Sequence, residues 1–160
     1  MIKRGFTLIE LLIVITIIGI LSALVLTNVQ GVRERARDAR RKSDLTSIKS
    51  SLRLYYNDAK SFPDSDNGNI VGCSGSCVWG SSRFASGDTV YMNTLPTDPL
   101  NTDTNPLSYE YHQVNDDSYV IIATLENESD PDIADSQARC STPYAAVTTK
   151  DLEHDYVLCE

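Results

Sequence analysis

The stretch that decides the fold is Gly5-Phe6-Thr7-Leu8-Ile9-Glu10, which opens an apolar run that continues to Val29. Glu10 is the one charged residue between Phe6 and Val29. The run holds about 24 residues, and a membrane-spanning helix needs roughly 20. In a secretory signal peptide the small residue at the cleavage site follows the apolar core. Here Gly5 precedes the core, so cleavage after Gly5 leaves the apolar helix on the mature protein.

The arrangement Lys3-Arg4-Gly5-Phe6-Thr7-Leu8-Ile9-Glu10 resembles the class III leader of type IV pilins and type II secretion pseudopilins. The resemblance implies that a prepilin peptidase cuts between Gly5 and Phe6 and that Phe6 is then N-methylated. It also implies that Glu10, the fifth residue of the mature chain, is the glutamate that directs assembly. A carboxylate at the centre of a membrane helix costs about 2.5 to 3.5 kcal/mol, so Glu10, near one end, still needs a partner.

Apolar residues continue beyond the first run with helical spacing, at Leu45, Ile48, Leu52 and Tyr55. No Pro or Gly interrupts residues 32–56, so we predict one helix from about Phe6 to about Asp58. The outer half of this helix must bury its apolar stripe, most simply under a sheet. The predicted fold class is therefore α+β, with a long N-terminal helix, membrane-spanning in its first half, packed on a small antiparallel sheet.

Three regions follow from these features. The leader peptide is residues 1–5, and the transmembrane and assembly helix is residues 6–30. Residues 31–160 form a periplasmic or extracellular head, which includes the outer half of the helix to about residue 58.

The predicted strands lie at residues 90–92, 108–113, 118–125 and 156–158, with a turn at residues 115–117. Residues 64–88 are rich in Gly, Ser and Asn and are predicted as a loop, in which Trp79 has a packing role. The order of Leu95-Pro96-Thr97-Asp98-Pro99 and the strands after it resembles the major pseudopilin of type II secretion.

The chain has four cysteines, Cys73, Cys77, Cys140 and Cys159, and none lies in the apolar run. An even number in an exported domain indicates two disulfides, for which three pairings are possible. The most local pairing joins Cys73 to Cys77 and Cys140 to Cys159, and Gly75 helps the smaller loop to close.

Charge is divided unevenly along the chain. Residues 1–42 hold eight Lys or Arg and three Asp or Glu, whereas residues 43–160 hold six and nineteen. An acidic head argues against nucleic-acid binding through that head.

Residues 33–42, here called the basic segment, hold six cations and two anions. They are interpreted either as a solvated collar beside anionic lipid or as a belt that meets the acidic heads of neighbouring subunits. The positive-inside rule places the flank with more Lys and Arg in the cytoplasm, but six cations follow the apolar run and only Lys3 and Arg4 precede it. Recognition of the leader by the export route would override this rule.

Residues 126–135, here called the acidic segment, contain five carboxylates. Oxygen ligands in a flexible loop suit Ca²⁺, which takes six to eight of them. Major pseudopilins have a calcium site after the equivalent strand, so the resemblance implies a possible site here; a solvated acidic loop is the alternative. The candidate ligands are Glu126, Glu128, Asp130, Asp132 and Asp135.

No catalytic motif is present in the sequence, and His112 and His154 are interpreted as surface or packing residues. We therefore expect a structural protein that polymerises through its N-terminal helix into a type IV pilus-like filament. One alternative is the major pseudopilin of a type II secretion system. Another, of a different class, is a membrane-anchored binding domain that never polymerises, but such a domain has no need of Gly5 or Glu10.

The partners implied by the resemblance are other copies of the chain, the prepilin peptidase, the inner-membrane assembly machinery and, before assembly, the lipid bilayer. The implied location is the inner membrane, as a single-pass protein, followed by a surface pilus or a periplasmic pseudopilus.

Overall fold

The computed structural model describes residues 6–26, 29–101, 109–148 and 150–160. The chain divides into two units, Met1–Ala36 and Arg37–Glu160. Helix α1 spans Leu8–Leu26, and helix α2 spans Val29–Ala59. The sequence predicts a single helix over residues 6–58, and the described residues of this range are helical from Leu8 to Leu26 and from Val29 onward. Residues 27 and 28 lie outside the described residues. Among the residues that were described, no helix has both the length and the hydropathy that crossing a membrane requires.

The second unit continues α2 and adds short strands and two short helices. The strands are β1 (Ser65–Asp66), β2 (Asn69–Ile70), β3 (Phe84–Ser86), β4 (Thr89–Met92), β5 (Glu110–Asn115), β6 (Ser118–Thr124) and β7 (Asp155–Cys159), and the helices between β6 and β7 are α3 (Pro131–Arg139) and α4 (Ser141–Ala145). Strands β5, β6 and β7 form a three-stranded antiparallel sheet with β6 at its centre. Two small hairpins, β1–β2 and β3–β4, complete the strands of the described chain.

The predicted α+β class is confirmed, and the four predicted strands correspond to β4, β5, β6 and β7. The segment predicted as a loop, residues 64–88, instead contains β1, β2 and β3. Trp79 in this segment is buried and packs edge-on against Tyr109, with ring centroids 5.9 Å apart, so its packing role is confirmed.

The apolar stripe of α2 forms one side of the head core. Leu45, Ile48 and Leu52 are fully buried in a cluster that includes Tyr119 and Ile121 of β6. Alternate residues of a strand point to opposite faces. The other face of β6 belongs to a second cluster, formed by Val120, Ile122, Cys140, Tyr144, Val147 and Val157. Because both faces of β6 are covered, its sequence is an unbroken apolar run rather than an alternating one.

Helix α3 covers the outer edge of β7. The Ser136 hydroxyl oxygen accepts the Val157 N–H at 3.1 Å, and the Gln137 side-chain amide donates to the Asp155 carbonyl at 2.9 Å. An uncovered strand edge is a template for pairing with another chain. These two side chains use backbone groups that the ladder with β6 leaves free, so this edge of the sheet is closed within the subunit.

Candidate functional site

Helix α1 exposes apolar side chains around its whole circumference. The exposed side chains are Leu8, Ile9, Leu11, Leu12, Ile13, Val14, Ile15, Ile17, Ile18, Ile20 and Leu21, each between 45% and 82% accessible. A helix that is hydrophobic all round normally lies in a protein core or in lipid. Exposed apolar area of this extent marks a surface that another molecule covers.

Thr7 and Glu10 form a reciprocal cap at the start of α1. The Thr7 backbone N–H and hydroxyl donate to Glu10 Oε2 at 2.9 and 2.7 Å, and the Glu10 N–H donates to Thr7 Oγ1 at 3.4 Å. This is a capping box, whose sequence signature is Thr-x-x-Glu before an apolar run. The cap accounts for one carboxylate oxygen of Glu10. Within the described residues, Oε1 of Glu10 has no hydrogen-bond partner. Gly5, the other residue expected to direct processing, lies outside the described residues.

Arg41 of the basic segment is fully buried and contacts three carboxylates. Its Nε and Nη2 donate to the two oxygens of Asp98 at 2.6 and 2.9 Å, and its Nη1 donates to Asp38 and Glu126 at 2.6 and 2.7 Å. Burial alone would lower the pKa of Arg41, but the hydrogen bonds that it donates to Asp98, Glu126 and Asp38 raise that pKa above its ordinary value. The guanidinium is therefore charged at every relevant pH, and α2 is tied to two distant segments.

The carboxylates around Arg41 carry further bonds. Asp38 is 2% exposed, and its two oxygens accept the backbone N–H groups of Glu126 and Asn127, each at 3.0 Å. Glu126 also pairs with Arg37, whose Nε donates to Oε1 at 2.6 Å. We call Arg37, Asp38, Arg41, Asp98 and Glu126 the ion-pair network. It joins α2 to the turn before residue 100 and to the start of the acidic segment.

Lys42 pairs with the next part of the acidic segment. Its ammonium donates to both oxygens of Asp130 and to Oδ2 of Asp132, each at 2.7 Å, and lies 5.5 Å from the centre of the Tyr156 ring. Burial alone would lower the pKa of Lys42, but the hydrogen bonds that it donates to Asp130 and Asp132, together with the charges of these carboxylates, raise that pKa. Asp130 also caps α3, because its Oδ1 accepts the Asp132 N–H at 3.0 Å and Pro131 follows at the first helical position.

These contacts correct one interpretation of the basic segment. The composition of the basic segment predicts a solvated collar or a belt between subunits for all ten residues. In the structure Asp38 and Arg41 are buried, and Arg37 and Lys42 are partly buried against their own head. Arg33 and Arg35 remain exposed, and neither has an ion pair among the described residues. Asp38 and Arg41, three residues apart on α2, also pair with each other.

The disulfides follow the local pairing. Cys73 is bonded to Cys77 and Cys140 to Cys159, with Cα–Cα distances of 5.2 and 5.7 Å. The first closes the short loop after β2. The second joins the end of α3 to the end of β7, which reinforces the cover on the outer sheet edge.

The two histidines contact carboxylates. His112 Nε2 lies 3.0 Å from Glu110, while His154 lies 2.9 Å from Asp151 and 3.3 Å from Glu128. The hydrogen bond that the Asp151 carboxylate accepts from His154 raises the pKa of His154. Both are partly exposed side chains beside carboxylates, which agrees with their interpretation as surface or packing residues.

Comparison with known proteins places this architecture in a family. Residues 1–26 match the model described as the prokaryotic N-terminal methylation motif. The type II secretion system core protein G of Pectobacterium carotovorum subsp. carotovorum is 34% identical over 110 residues, which cover 69% of this chain and 70% of that protein. The protein of the same name from Klebsiella pneumoniae is 33% identical over 111 residues, covering 69% and 78%. The chain belongs to the type II secretion system core protein G family.

Another member of the core protein G family, from Vibrio cholerae serotype O1, is 28% identical over 123 residues, covering 77% of this chain and 80% of that protein. No solved structure gives a significant match. The relatives support the pseudopilin alternative over the surface pilus, in agreement with the resemblance carried by Leu95–Pro99.

The calcium site that the sequence resemblance implied does not fit the acidic segment as it is placed here. Lys42 holds three oxygens of Asp130 and Asp132, and Glu126 is held by two arginines. Of the remaining candidates, Glu128 faces His154 and Asp135 is exposed. Across the described ranges, no group of three or more His, Cys, Asp or Glu side chains is arranged to hold a metal ion. Calcium at this segment therefore stays a prediction without support from the donor set.

Proposed function

We propose that the chain is a non-enzymatic structural subunit that polymerises through α1 into the pseudopilus of a type II secretion system. The observation that carries the proposal is the exposure of apolar side chains on every side of α1 between Leu8 and Leu21, a stretch in which Glu10 is the one charged residue. Other copies of the same helix, side by side in a fibre, would cover this surface and bury each other's side chains.

Processing supplies the partner for Glu10. Cleavage between Gly5 and Phe6 by a prepilin peptidase creates an amine on Phe6, and N-methylation leaves that amine able to carry a positive charge. Glu10 Oε2 is used by the Thr7 cap, whereas Oε1 is available to a neighbour. An ion pair at 4 Å is worth about 1 kcal/mol in water and about 4 kcal/mol at an effective dielectric constant near 20. The pair is therefore strong enough to set the register between subunits.

Before assembly the subunit is proposed to wait in the inner membrane, with the bilayer covering the apolar helix. The capping box suits this stage, because it gives the Glu10 carboxylate two internal donors in a medium that offers none. Inner-membrane assembly machinery then moves subunits from the bilayer into a periplasmic fibre.

Isolation of fibres tests the proposal. We expect fibres sheared from cells that overproduce the chain with its secretion machinery to contain it as residues 6–160 with one added methyl group, measured by intact-mass spectrometry. A Gly5→Leu variant is the control, since it blocks cleavage and should leave the chain full-length in the membrane fraction without fibres. An uncleaved chain that starts at Met1, found as single subunits in the membrane, would instead support the anchored binding domain.

A further inference from the structure

The Lys42 ammonium lies among carboxylate oxygens of the acidic segment and next to an aromatic ring. An ammonium has three N–H donors, and three carboxylate oxygens, two on Asp130 and one on Asp132, lie within hydrogen-bond distance of the Lys42 nitrogen, at 2.7 Å. The face of the Tyr156 ring, 5.5 Å away at its centre, adds a cation–π contact. Side-chain exposure of Lys42 and Asp130 is 21% and 16%, so bulk water screens this pair only in part.

Calcium and this ammonium compete for the same oxygens. Ca²⁺ binds six to eight oxygens at about 2.3 to 2.6 Å, and the oxygens of Asp130 and Asp132 already surround Lys42 at 2.7 Å. The next carboxylate, Glu126, is bonded to Arg37 and Arg41. A calcium ion could use these ligands only by displacing cations that belong to the chain itself.

We propose that the Lys42 ammonium takes the place of a bound metal ion in the acidic segment. The ammonium orders this segment, so the structure of the segment does not depend on calcium. The inference rests on the contacts of the head and does not depend on polymerisation. A metal ion must be taken up from solution, whereas Lys42 is carried on the same helical turn as the buried Arg41, so its position is fixed when α2 packs.

The consequence extends from the acidic segment into the sheet. Asp130 holds the ammonium and caps α3 at the same time. Helix α3 covers the edge of β7 and leads to Cys140, which is bonded to Cys159. Without the ammonium, Asp130 loses the cation that holds its carboxylate at the start of α3. The ion pair between Arg41 and Glu126, earlier in the acidic segment, remains.

Amide hydrogen exchange on the full chain in detergent micelles tests the proposal, in millimolar CaCl₂ and in chelator. For the wild type we expect equal thermal midpoints and equal exchange of the Asp132 and Ile133 amides in both solutions. Lys42→Met should speed exchange at these amides by about fivefold or more, the factor that corresponds to a capping interaction of about 1 kcal/mol. The matched control is Arg40→Met, because Arg40 lies on the same helix with a side chain that is 63% exposed and pairs only weakly with Asp44, at 3.8 Å.

Two results would overturn the proposal. One is a wild-type chain that calcium protects from exchange or stabilises against heat. The other is a Lys42→Met chain whose exchange at Asp132 matches that of Arg40→Met. If Lys42→Met does not fold, Asp132→Asn provides the second variant, since it removes the negative charge from one of the three ammonium contacts at a side chain that is 56% exposed. It should speed exchange at Ile133 by a smaller factor, and unchanged exchange there would contradict the proposal.

Discussion

Arg41 is the residue on which three parts of the head converge. Its guanidinium is fully buried between Asp38 of its own helix, Asp98 of the proline-rich turn and Glu126 after β6. Two of these carboxylates are themselves almost inaccessible to water. A buried ion pair is a weak source of stability compared with apolar packing, but breaking one is costly because the partner charge stays buried.

We expect Arg41→Met to lower the free energy of unfolding by about 3 to 5 kcal/mol, because Asp38 and Asp98 lose their counter-ion. Denaturant unfolding of the full chain in detergent, followed by tyrosine fluorescence, measures the change. Arg40→Met is the control and should stay within about 0.5 kcal/mol of the wild type, as exposed substitutions do. Adding Asp98→Asn to Arg41→Met should recover part of the loss. Equal stabilities of Arg41→Met and the wild type would show that these carboxylates do not need the guanidinium.

The sequence shows which residues of α2 face the core, but it does not show which charges are buried. Leu45, Ile48 and Leu52 follow a helical period, and the structure buries all three. The basic segment has the composition of a solvated helix surface, and Arg41 looks no different from Arg40 beside it. Its partners Asp98 and Glu126 lie 57 and 85 residues away, so no local pattern could have identified them. The Thr7 cap was not predicted, although its Thr-x-x-Glu spacing is a local signature that identifies it.

At the scale of elements, the acidic segment and α3 form the part of the head that depends most on charge. The hydrogen bond from Arg37 lowers the pKa of Glu126, with a smaller contribution from Arg41. Burial raises the pKa of Asp130, but the hydrogen bonds from Lys42 and from the Asp132 N–H, together with the charge of Lys42, outweigh it, so that this pKa also lies below its ordinary value. A carboxyl whose pKa is lowered on folding stabilises the folded state above its unfolded pKa, and this contribution is lost as the pH falls through the folded pKa.

We therefore expect amides of the acidic segment to lose exchange protection on acidification, beginning below about pH 4. Amides of the β5–β6 ladder should retain theirs to lower pH. Asp155 acts in the opposite direction, since burial raises its pKa and its protonation favours the folded state as the pH falls. Glu126→Gln should reduce the acid-induced change at residue 127. Simultaneous loss of protection in the segment and in the sheet would contradict a local origin in these ion pairs.

Element boundaries were predictable where the pattern was long. The hairpin of β5 and β6 and the end of α2 before Pro63 follow from residue type alone. Strands β1 and β2 have two residues each, too few to show a period. The start of α3 was missed because the many carboxylates of residues 126–135 indicated a loop, although Asp130-Pro131 is a typical helix cap.

At the scale of the whole molecule, the surface for association and the charges that stabilise the head lie in different units of the chain. The N-terminal unit carries an apolar helix that is exposed all round, whereas the charges of the second unit are organised within its own head by the ion-pair network and Lys42. Stability of the head and association through α1 should therefore be separable by substitution. The resemblance at residues 3–10 pointed to a pilin-like chain, and the family relatives support a secretion pseudopilus over a surface pilus.

Glu10→Gln tests the central claim most directly. A glutamine at this position keeps an oxygen acceptor for the Thr7 cap and removes only the charge. We expect normal cleavage and head stability, but at least about tenfold fewer fibres, since each 1.4 kcal/mol of lost pairing is a factor of ten. The measurement is the number of fibres per cell by electron microscopy, in cells whose only copy of the chain is the variant, at matched subunit levels. Fibre numbers equal to the wild type would contradict assembly through the Glu10 carboxylate.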